Sequence, residues 1–481
     1  VQKKPLTQAE RLERLKAKQQ TATAPKELVL ANLLFPKQLA AIEDVSPFKL
    51  FLCSRRAGKS TGIAADLVKT AYEATQPCTA LYVTGSRTDA KKIVWAEVKR
   101  LATDLGHPCV PNESELTLTY TNGSIVRLAG VKDMASVDKI RGQLPPIKKA
   151  YIDEAQSIRN EVLQTLVDDV LEPALLDYDG SLVMAGTPPP VPAGYFIDQL
   201  SNKFWKTHAW TFFDNPHMAI KSGKTHQQLL DRVLARRGLS IDDPQIRREY
   251  FGELKVDTNS LVYQYSEAIN HYDVLPPGNY VYIMGVDIGF HDSDALAVLA
   301  YSDASKHTYL VEELVTERQD VTALMEQIQR LRSKYGVSRI VMDTGGLGKK
   351  IAEELIQRYS LPIEAAEKTR KFENIELLNT QMRTGMFLAR KDSLFAWDSY
   401  KVEWNRDLRK PDKKVISDRF HSDICDAVLY GWRESYAYTY TPPPPPPVPG
   451  TPAWEEELEK QALEHFQALE DAAKADPYGF E

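Results

Sequence analysis

Two groups of residues in this 481-residue chain have the types and spacing that chemistry needs. The first closes the stretch "FLCSRRAGKS" (51–60). A phosphate-cradling loop needs backbone N–H groups at a helix start, a lysine reaching the outer phosphates and a hydroxyl for Mg2+. Lys59 and Ser60 fill the last two roles, and Gly58 lets the backbone approach closely. Arg55, Arg56, Ala57 and Thr61 complete the loop and the first helical turn. A strand-like "KLFLC" precedes the loop, and "STGIAADLVKTAYEA" follows with a helical pattern. Cys53 stands where the first glycine is expected, so the loop's first turn is expected to differ in detail.

Three further segments fit that loop. "KKAYIDEAQ" is a strand ending in Asp153-Glu154, where one acid can hold the water shell of Mg2+ and the next can polarise an attacking water. "MAGTPPP" ends a later strand at Thr187, whose hydroxyl can sense a γ-phosphate. Gln38 in "FPKQLAAIED" carries an amide able to pair with both edges of adenine. Each has a plain structural explanation alone: an exposed lysine at a helix start, a capping acidic pair, an ordinary surface glutamine. Their order and spacing together read as an ATP-hydrolysing site with ATP and Mg2+ as its ligands.

The second group is a set of aspartates. Two-metal cleavage of a phosphodiester needs carboxylates converging from separate segments. Asp287 ends the apolar run "VYIMGVDIG", and Asp343 ends "SRIVMD" before two glycines. Asp423 and Asp426, at i and i+3 in "FHSDICDAVLYGW", share one helix face. His421 and Asp294 are auxiliary candidates. A single aspartate more often caps a helix or forms a turn. Three segments with the same setting point to a site for two Mg2+ or Mn2+ ions.

These sites need elements to hold them. From 27 to about 190, β-rich runs at 49–53, 79–84, 149–153 and 181–186 alternate with helical patterns, predicting a parallel α/β sheet. "TLTYTNGSIVRLAG" (117–130) reads instead as a hairpin about Asn122-Gly123. A basic helix is expected near "DRVLARRG". From 280, three strands in succession, a helix over 320–335 and the strand "RIVMD" predict a second α/β unit. The resulting expectation is a basic arm (1–26), a P-loop domain (27–235), a linker or subdomain (236–275), a second domain (276–438) and a tail (439–481).

Composition sets the limits. Hydrophobic residues make up 43% and charged residues 26%, as in a soluble globular protein. Four scattered cysteines (Cys53, Cys78, Cys109, Cys425) form no C-x-x-C pair, which argues against a zinc site or disulfide framework and fits a reducing cytoplasm. No apolar run approaches a membrane span, and no secretory pattern opens the chain. The net charge of −6 looks wrong for a protein that handles nucleic acid. It is concentrated, however: residues 451–481 hold nine acids and two lysines, leaving 58 basic and 57 acidic groups elsewhere. Local patches would have to hold DNA.

With both constellations in this order, residues 30 to 435 resemble the large terminase subunit of tailed bacteriophages, in which "SRRAGKS"-like loops with a varied first glycine are typical. The resemblance implies an N-terminal ASCE-type, RecA-like ATPase and a C-terminal RNase H-like nuclease in a viral protein of the host cytoplasm. It implies that ATP hydrolysis drives double-stranded DNA into a procapsid, with portal protein and small terminase subunit as partners and a homo-oligomeric ring on the portal. It assigns Gln38 to adenine, Lys59 and Ser60 to phosphate and Mg2+, Asp153 to the metal, Glu154 to the catalytic base, and "MAGT" to coupling. Arg141 in "KIRGQLPP" matches a trans-acting finger, with Arg55 or Arg56 as cis alternatives. Asp287, Asp343 and Asp423 match the nuclease triad; Ser422 stands where a second acid is usual, so Asp426 is the substitute fourth ligand. The competing readings are a superfamily 2 helicase-nuclease, which needs a second RecA-like domain, and an ATP-switched DNA clamp with an inactive nuclease fold. Beyond the proline spacer 441–450, Trp454, Leu458, Ala462, Phe466, Leu469 and Ala473 would form one apolar helix stripe, either a docking helix for the portal or a solvated tail.

Overall fold

The computed structural model describes residues 8–19, 28–142, 144–289, 293–317, 319–345, 348–366, 368, 370–406, 414–417, 419–435, 451, 452, 454, 458 and 459. The spacer 441–450 and, apart from Trp454 and Leu458, the apolar stripe lie outside the described residues. Within the expected arm, Gln8–Gln19 is a helix. Among the described residues no helix is long and apolar enough to cross a membrane.

The first sheet contains β1 (Phe48–Cys53), β2 (Thr79–Thr84), β3 (Cys109–Asn112), β4 (Thr117–Tyr120), β5 (Ile125–Gly130), β6 (Ile147–Ile152), β7 (Ser181–Gly186) and β8 (Lys206–Trp210), in the order β3-β4-β5-β2-β6-β7-β1-β8. From β5 to β8 every pairing is parallel. Such strands are covered on both faces and read as continuous apolar runs; all six residues of β2 are buried. Strand β7 lies between the loop strand β1 and the acid-bearing β6, which is the ASCE, RecA-like arrangement the sequence predicts. The expected hairpin is present: β4 and β5 pair antiparallel, and Gly123 supplies a φ of 87°. Its turn has a second use, because Asn122 Nδ2 donates to the carbonyls of Ala71 (2.9 Å), Tyr72 (3.1 Å) and Ala74 (3.1 Å), closing the C-terminus of the helix Lys59–Tyr72.

The second sheet contains β9 (Val281–Asp287), β10 (Ser293–Ser302), β11 (Ser305–Glu317), β12 (Arg339–Met342), β13 (Ile363–Ala365) and β14 (Phe387–Ala389), in the order β13-β12-β9-β10-β11-β14. The meander β9-β10-β11 is antiparallel, the helix Val321–Tyr335 crosses over, and β12 returns parallel to β9. This is RNase H-like topology, not the second RecA-like sheet a helicase needs. A short ribbon, β15 (Trp404–Arg406) with β16 (Lys414–Ile416), stands apart.

The two cores meet differently from the expected boundaries. Residue 235 falls inside the helix His226–Arg237. The helix Pro244–Phe251 packs back on the phosphate loop, with Arg55 N donating to Glu249 O at 2.7 Å. Val262, Tyr263 and Tyr265 are already buried in the second core, upstream of 276.

The helix Asp423–Arg433 carries two of the candidate aspartates and is buried from Ile424 to Trp432. It lies against β9 so closely that a Cβ on Gly285 would stand 1.9 Å from Ala427 O and 2.8 Å from Gly431 N. Both obstacles are backbone and cannot rotate away. Gly285→Ala should therefore push this helix off the sheet, displacing Asp423 and Asp426 together. We expect loss of metal-dependent DNA cleavage with ATP turnover retained, measured on one preparation.

Candidate functional site

Cys53 ends β1 and does not begin the loop's turn. It is fully buried, and burial pushes its thiol up to about 12, so it is an inert core residue. The turn lies further on, at Arg56 (φ 61°) and Gly58 (φ 84°). Three successive carbonyls are tied down: Asn215 Nδ2 donates to Arg56 O (2.9 Å), Trp210 Nε1 to Ala57 O (2.8 Å) and Gln38 Nε2 to Gly58 O (2.6 Å). Fixing the carbonyls leaves the loop's N–H groups for an anion.

Gln38 is therefore engaged with the loop itself. A Cβ at residue 62 would sit 2.8 Å from Gln38 Nε2, which explains the glycine there. Beside it runs a groove of about 570 Å³ lined by Phe35, Gln38, Arg56, Ser60, Thr61 and Asn215, with room for a nucleotide base.

Strands β1, β6 and β7 are parallel, so their C-terminal ends bring the loop, Asp153-Glu154 and Thr187 together. Lys59 Nζ donates to Thr187 Oγ1 at 3.1 Å and lies 3.9 Å from Glu154 Oε1. Asp153 is fully buried, and its Oδ2 accepts from Ser60 Oγ and Tyr82 O–H, both at 2.9 Å. Burial, then the charge of Glu154, raises its pKa. That carboxylate needs a cation more than two hydroxyls, and with Ser60 it offers the oxygen ligands Mg2+ prefers. Glu154 has a left-handed φ of 53°. Gln156 holds it there: Nε2 donates to Glu154 Oε2 at 2.6 Å, while Oε1 accepts from Thr187 N at 3.2 Å.

Tyr82, Gln156 and Asn215 escaped the sequence reading. Tyr82 had a readable signal, because a tyrosine in an all-apolar strand needs a partner for its hydroxyl. Gln156 and Asn215 gave none, since their partners lie 31 and 159 residues away.

The three finger candidates lie apart. Arg55 lines a second cavity, of about 370 Å³, together with Glu154, Gln156 and Thr187. Arg56 faces the base-side groove. Arg141 is exposed and tied to Asp138 Oδ1 (3.1 Å) and Asp169 O (3.3 Å), and it lines neither cavity.

In the second sheet, Asp287 ends β9 and Asp343 follows the adjacent β12, while Asp423 and Asp426 open the helix that packs across them. Burial, then the charges of Asp426, Asp423 and Asp343, lifts Asp287 to about 7, so the four carboxylates share one field. Each of the other three has a basic neighbour: Lys368 on Asp343, Lys371 on Asp426 (2.7 Å) and His421 on Asp423 (2.8 Å). The bond to Asp423 raises His421 to about 9. Among the described residues no three acidic, His or Cys side chains are grouped closely enough to hold one metal ion as they stand; Lys368 and Lys371 hold two of the four instead. The donor set, all carboxylate oxygen, suits Mg2+ or Mn2+. Asp294 has another task, its Oδ1 accepting from Gly289 N at 3.1 Å across the β9–β10 turn. Lys368 and Lys371 were missed, although "EKTRK" showed the positive charge.

No family model matches the chain. It is 23% identical over 410 residues to the terminase large subunit of Escherichia phage T5, covering 81% of this chain and 87% of that one. Its fold is that of the HK97 bacteriophage large terminase, with a TM-score of 0.51 and 12% identity over 83% of this chain and 94% of the other. The large terminase of a thermophilic bacteriophage is also similar, with a TM-score of 0.39 and 16% identity over 83% and 97%.

Gln156 gives a direct test of the first site. Gln156→Ala should leave ADP affinity within about twofold and lower kcat roughly tenfold, about 1.4 kcal/mol of lost positioning. Stopped-flow ATPase measurements and ADP titration on one sample would show whether the two separate.

Proposed function

We propose that this relative of the large terminase subunits is a viral DNA-packaging motor subunit, coupling ATP hydrolysis to double-stranded DNA translocation into a procapsid and cutting concatemeric DNA with a two-metal nuclease. One observation carries the reading: Lys59, Ser60, Asp153, Glu154 and Thr187 meet at the strand ends of an ASCE sheet, in one chain with an RNase H-like sheet bearing four coupled aspartates.

In the ATPase, the base enters the groove beside Gln38, and Lys59 binds the outer phosphates. Ser60 and Asp153 would hold Mg2+, which supplies neutralisation of phosphate charge. Glu154, aimed by Gln156, takes the proton of the attacking water. Lys59 now donates to Thr187, and a γ-phosphate competes for that lysine, so Thr187 changes partner as ATP arrives and leaves. Thr187 continues into Pro188–Pro190 and to Val191 and Ala193, whose carbonyls accept from Arg419, four residues before Asp423. In the nuclease, Asp287, Asp343 and Asp423, with Asp426, would hold two Mg2+ or Mn2+, which supply an activated water and stabilise the leaving oxygen. Arg141, exposed and outside its own site, would act on a neighbour's ATP in a homo-oligomeric ring on the portal; Arg55 is the cis alternative. Portal protein, procapsid and small terminase subunit are the partners this role requires.

The two activities should separate. Glu154→Ala should bind ATP without turnover, and Lys59→Ala should lose affinity as well. Asp343→Ala should abolish plasmid linearisation, by at least ~10²-fold, with ATPase near wild type. Turnover by Glu154→Ala, or cutting by Asp343→Ala, would remove that residue from its role.

For the finger, mixing Arg141→Ala with Glu154→Ala subunits under assembly conditions should restore part of the ATPase rate, because some interfaces then pair an intact finger with an intact base. A finger contributes ~10³–10⁵ in other phosphoryl-transfer enzymes, so even partial rescue is measurable. Absence of rescue would point to Arg55.

A further inference from the structure

The cavity behind Glu154 contains more charge than the ATPase mechanism uses. Its walls carry Arg55, Arg248 and Arg419 against Glu154, Glu249 and Glu403. Two pairs form: Arg55 with Glu249 at 3.8 Å, and Arg419 with Glu403 Oε1 at 3.4 Å, the other oxygen of Glu403 being buried without a hydrogen-bond partner among the described residues. Glu154 is engaged by Gln156 and Lys59. That leaves Arg248, 7% exposed, whose Nη1 is buried and has no hydrogen-bond partner among the described residues. Glu249, Asp257, Glu403 and Asp243 act on it electrostatically, and no ion pair joins any of them to it among the described residues.

A buried guanidinium without a partner is costly, and a chain that keeps one beside a polar cavity has a use for an anion. The backbone holds Arg248 in place. Its helix, Pro244–Phe251, is anchored to the loop through Arg55 N and Glu249 O, and Asp257 N bonds to Pro190 O at 3.0 Å just after Thr187-Pro-Pro-Pro. The same cavity is lined by Glu154, Gln156 and Thr187, the residues that face a γ-phosphate, whereas the base-side groove lies across the loop.

Resting on the ATPase reading above, we propose that Arg248 is the binding residue of an inorganic-phosphate subsite: it receives the phosphate released from ATP on the side of Glu154 away from the base and holds it at the junction of the two cores. Hydrolysis leaves ADP on Lys59 and Ser60 and a phosphate dianion between Glu154 and Thr187. The water's proton is then on Glu154, and once Glu154 passes it to solvent its restored charge repels the dianion. Arg248 lines the route by which it leaves and offers charge-assisted donors of the fork geometry phosphate prefers. Phosphate there would also sit beside the Arg419–Glu403 pair, so its release would be felt by the segment leading into the nuclease helix.

The test is equilibrium dialysis of radiolabelled inorganic phosphate against the full chain saturated with ADP and Mg2+. Wild type should bind one phosphate per chain. Arg248→Gln should weaken that binding at least ~10-fold, the loss of one charged hydrogen-bonding partner, with ADP affinity unchanged. Arg248→Lys, which keeps the charge without the fork, should fall between, and it decides the matter where Arg248→Gln loses ADP binding through misfolding. Unaltered phosphate affinity in an ADP-competent Arg248 variant, or no phosphate on the wild-type ADP complex, would overturn the proposal. Failure of the wild type to bind ADP would overturn the ATPase reading with it.

Discussion

The first site depends on one buried carboxylate that ties the phosphate loop to the sheet, its Oδ2 accepting from two hydroxyls and its Oδ1 from Glu154 N. Asp153 is fully out of water, carries Glu154 beside it, and has only two hydroxyls as hydrogen-bonding side-chain partners. Those hydroxyls come from the loop and from β2, so one charge fixes the relative positions of three strands and the helix Lys59–Tyr72. Parallel strands make this possible: only when their C-terminal ends point the same way can Ser60, Asp153 and Thr187 meet. The apolar runs that build the sheet are thus the reason the polar ends converge.

The second half of the chain solves a related problem with more acids. Asp287 is buried and sits in the field of three other aspartates, so its charged form is disfavoured and cations nearby would favour it. Lys368, Lys371 and His421 provide them from outside the helix and strands that carry the acids. The two glycines that let the helix Asp423–Arg433 touch β9 are what bring the acids within range. Backbone proximity, set by the missing side chain of Gly285, controls the electrostatics.

Much of this was legible in the sequence, for physical reasons that also mark its limits. The runs of β1, β2, β6 and β7 are apolar because both faces are covered, and the Asn122-Gly123 turn announces a positive φ. Strand β8 escaped because "KTHAW" lies at the sheet edge, where three of its five residues are exposed and carry no apolar pattern. Strands β13 and β14 are only three residues long, too short for a period. The motif residues were readable since their neighbours in sequence define their setting. Asn215 and Lys371 act through partners remote in sequence, Gln156 joins its neighbour Glu154 to the distant Thr187, and the burial of Arg248 comes from the fold, so nothing local distinguishes them from surface residues. The contact of Pro244–Phe251 with Arg55 is of the same kind, since nothing in either segment announces the other.

That contact also bears on how the two cores are joined in one chain. The segment after Thr187 is proline-rich, and its fixed φ angles limit how the chain between Thr187 and Val191 can bend. Arg419 bonds to both carbonyls and to Glu403, next to the ribbon β15–β16. The buried pair adds little net stability, because desolvation offsets its attraction, yet losing either partner would strand a charge. Such a pair favours discrete arrangements over gradual ones. The junction therefore ties the segment after Thr187 to Arg419, four residues before Asp423.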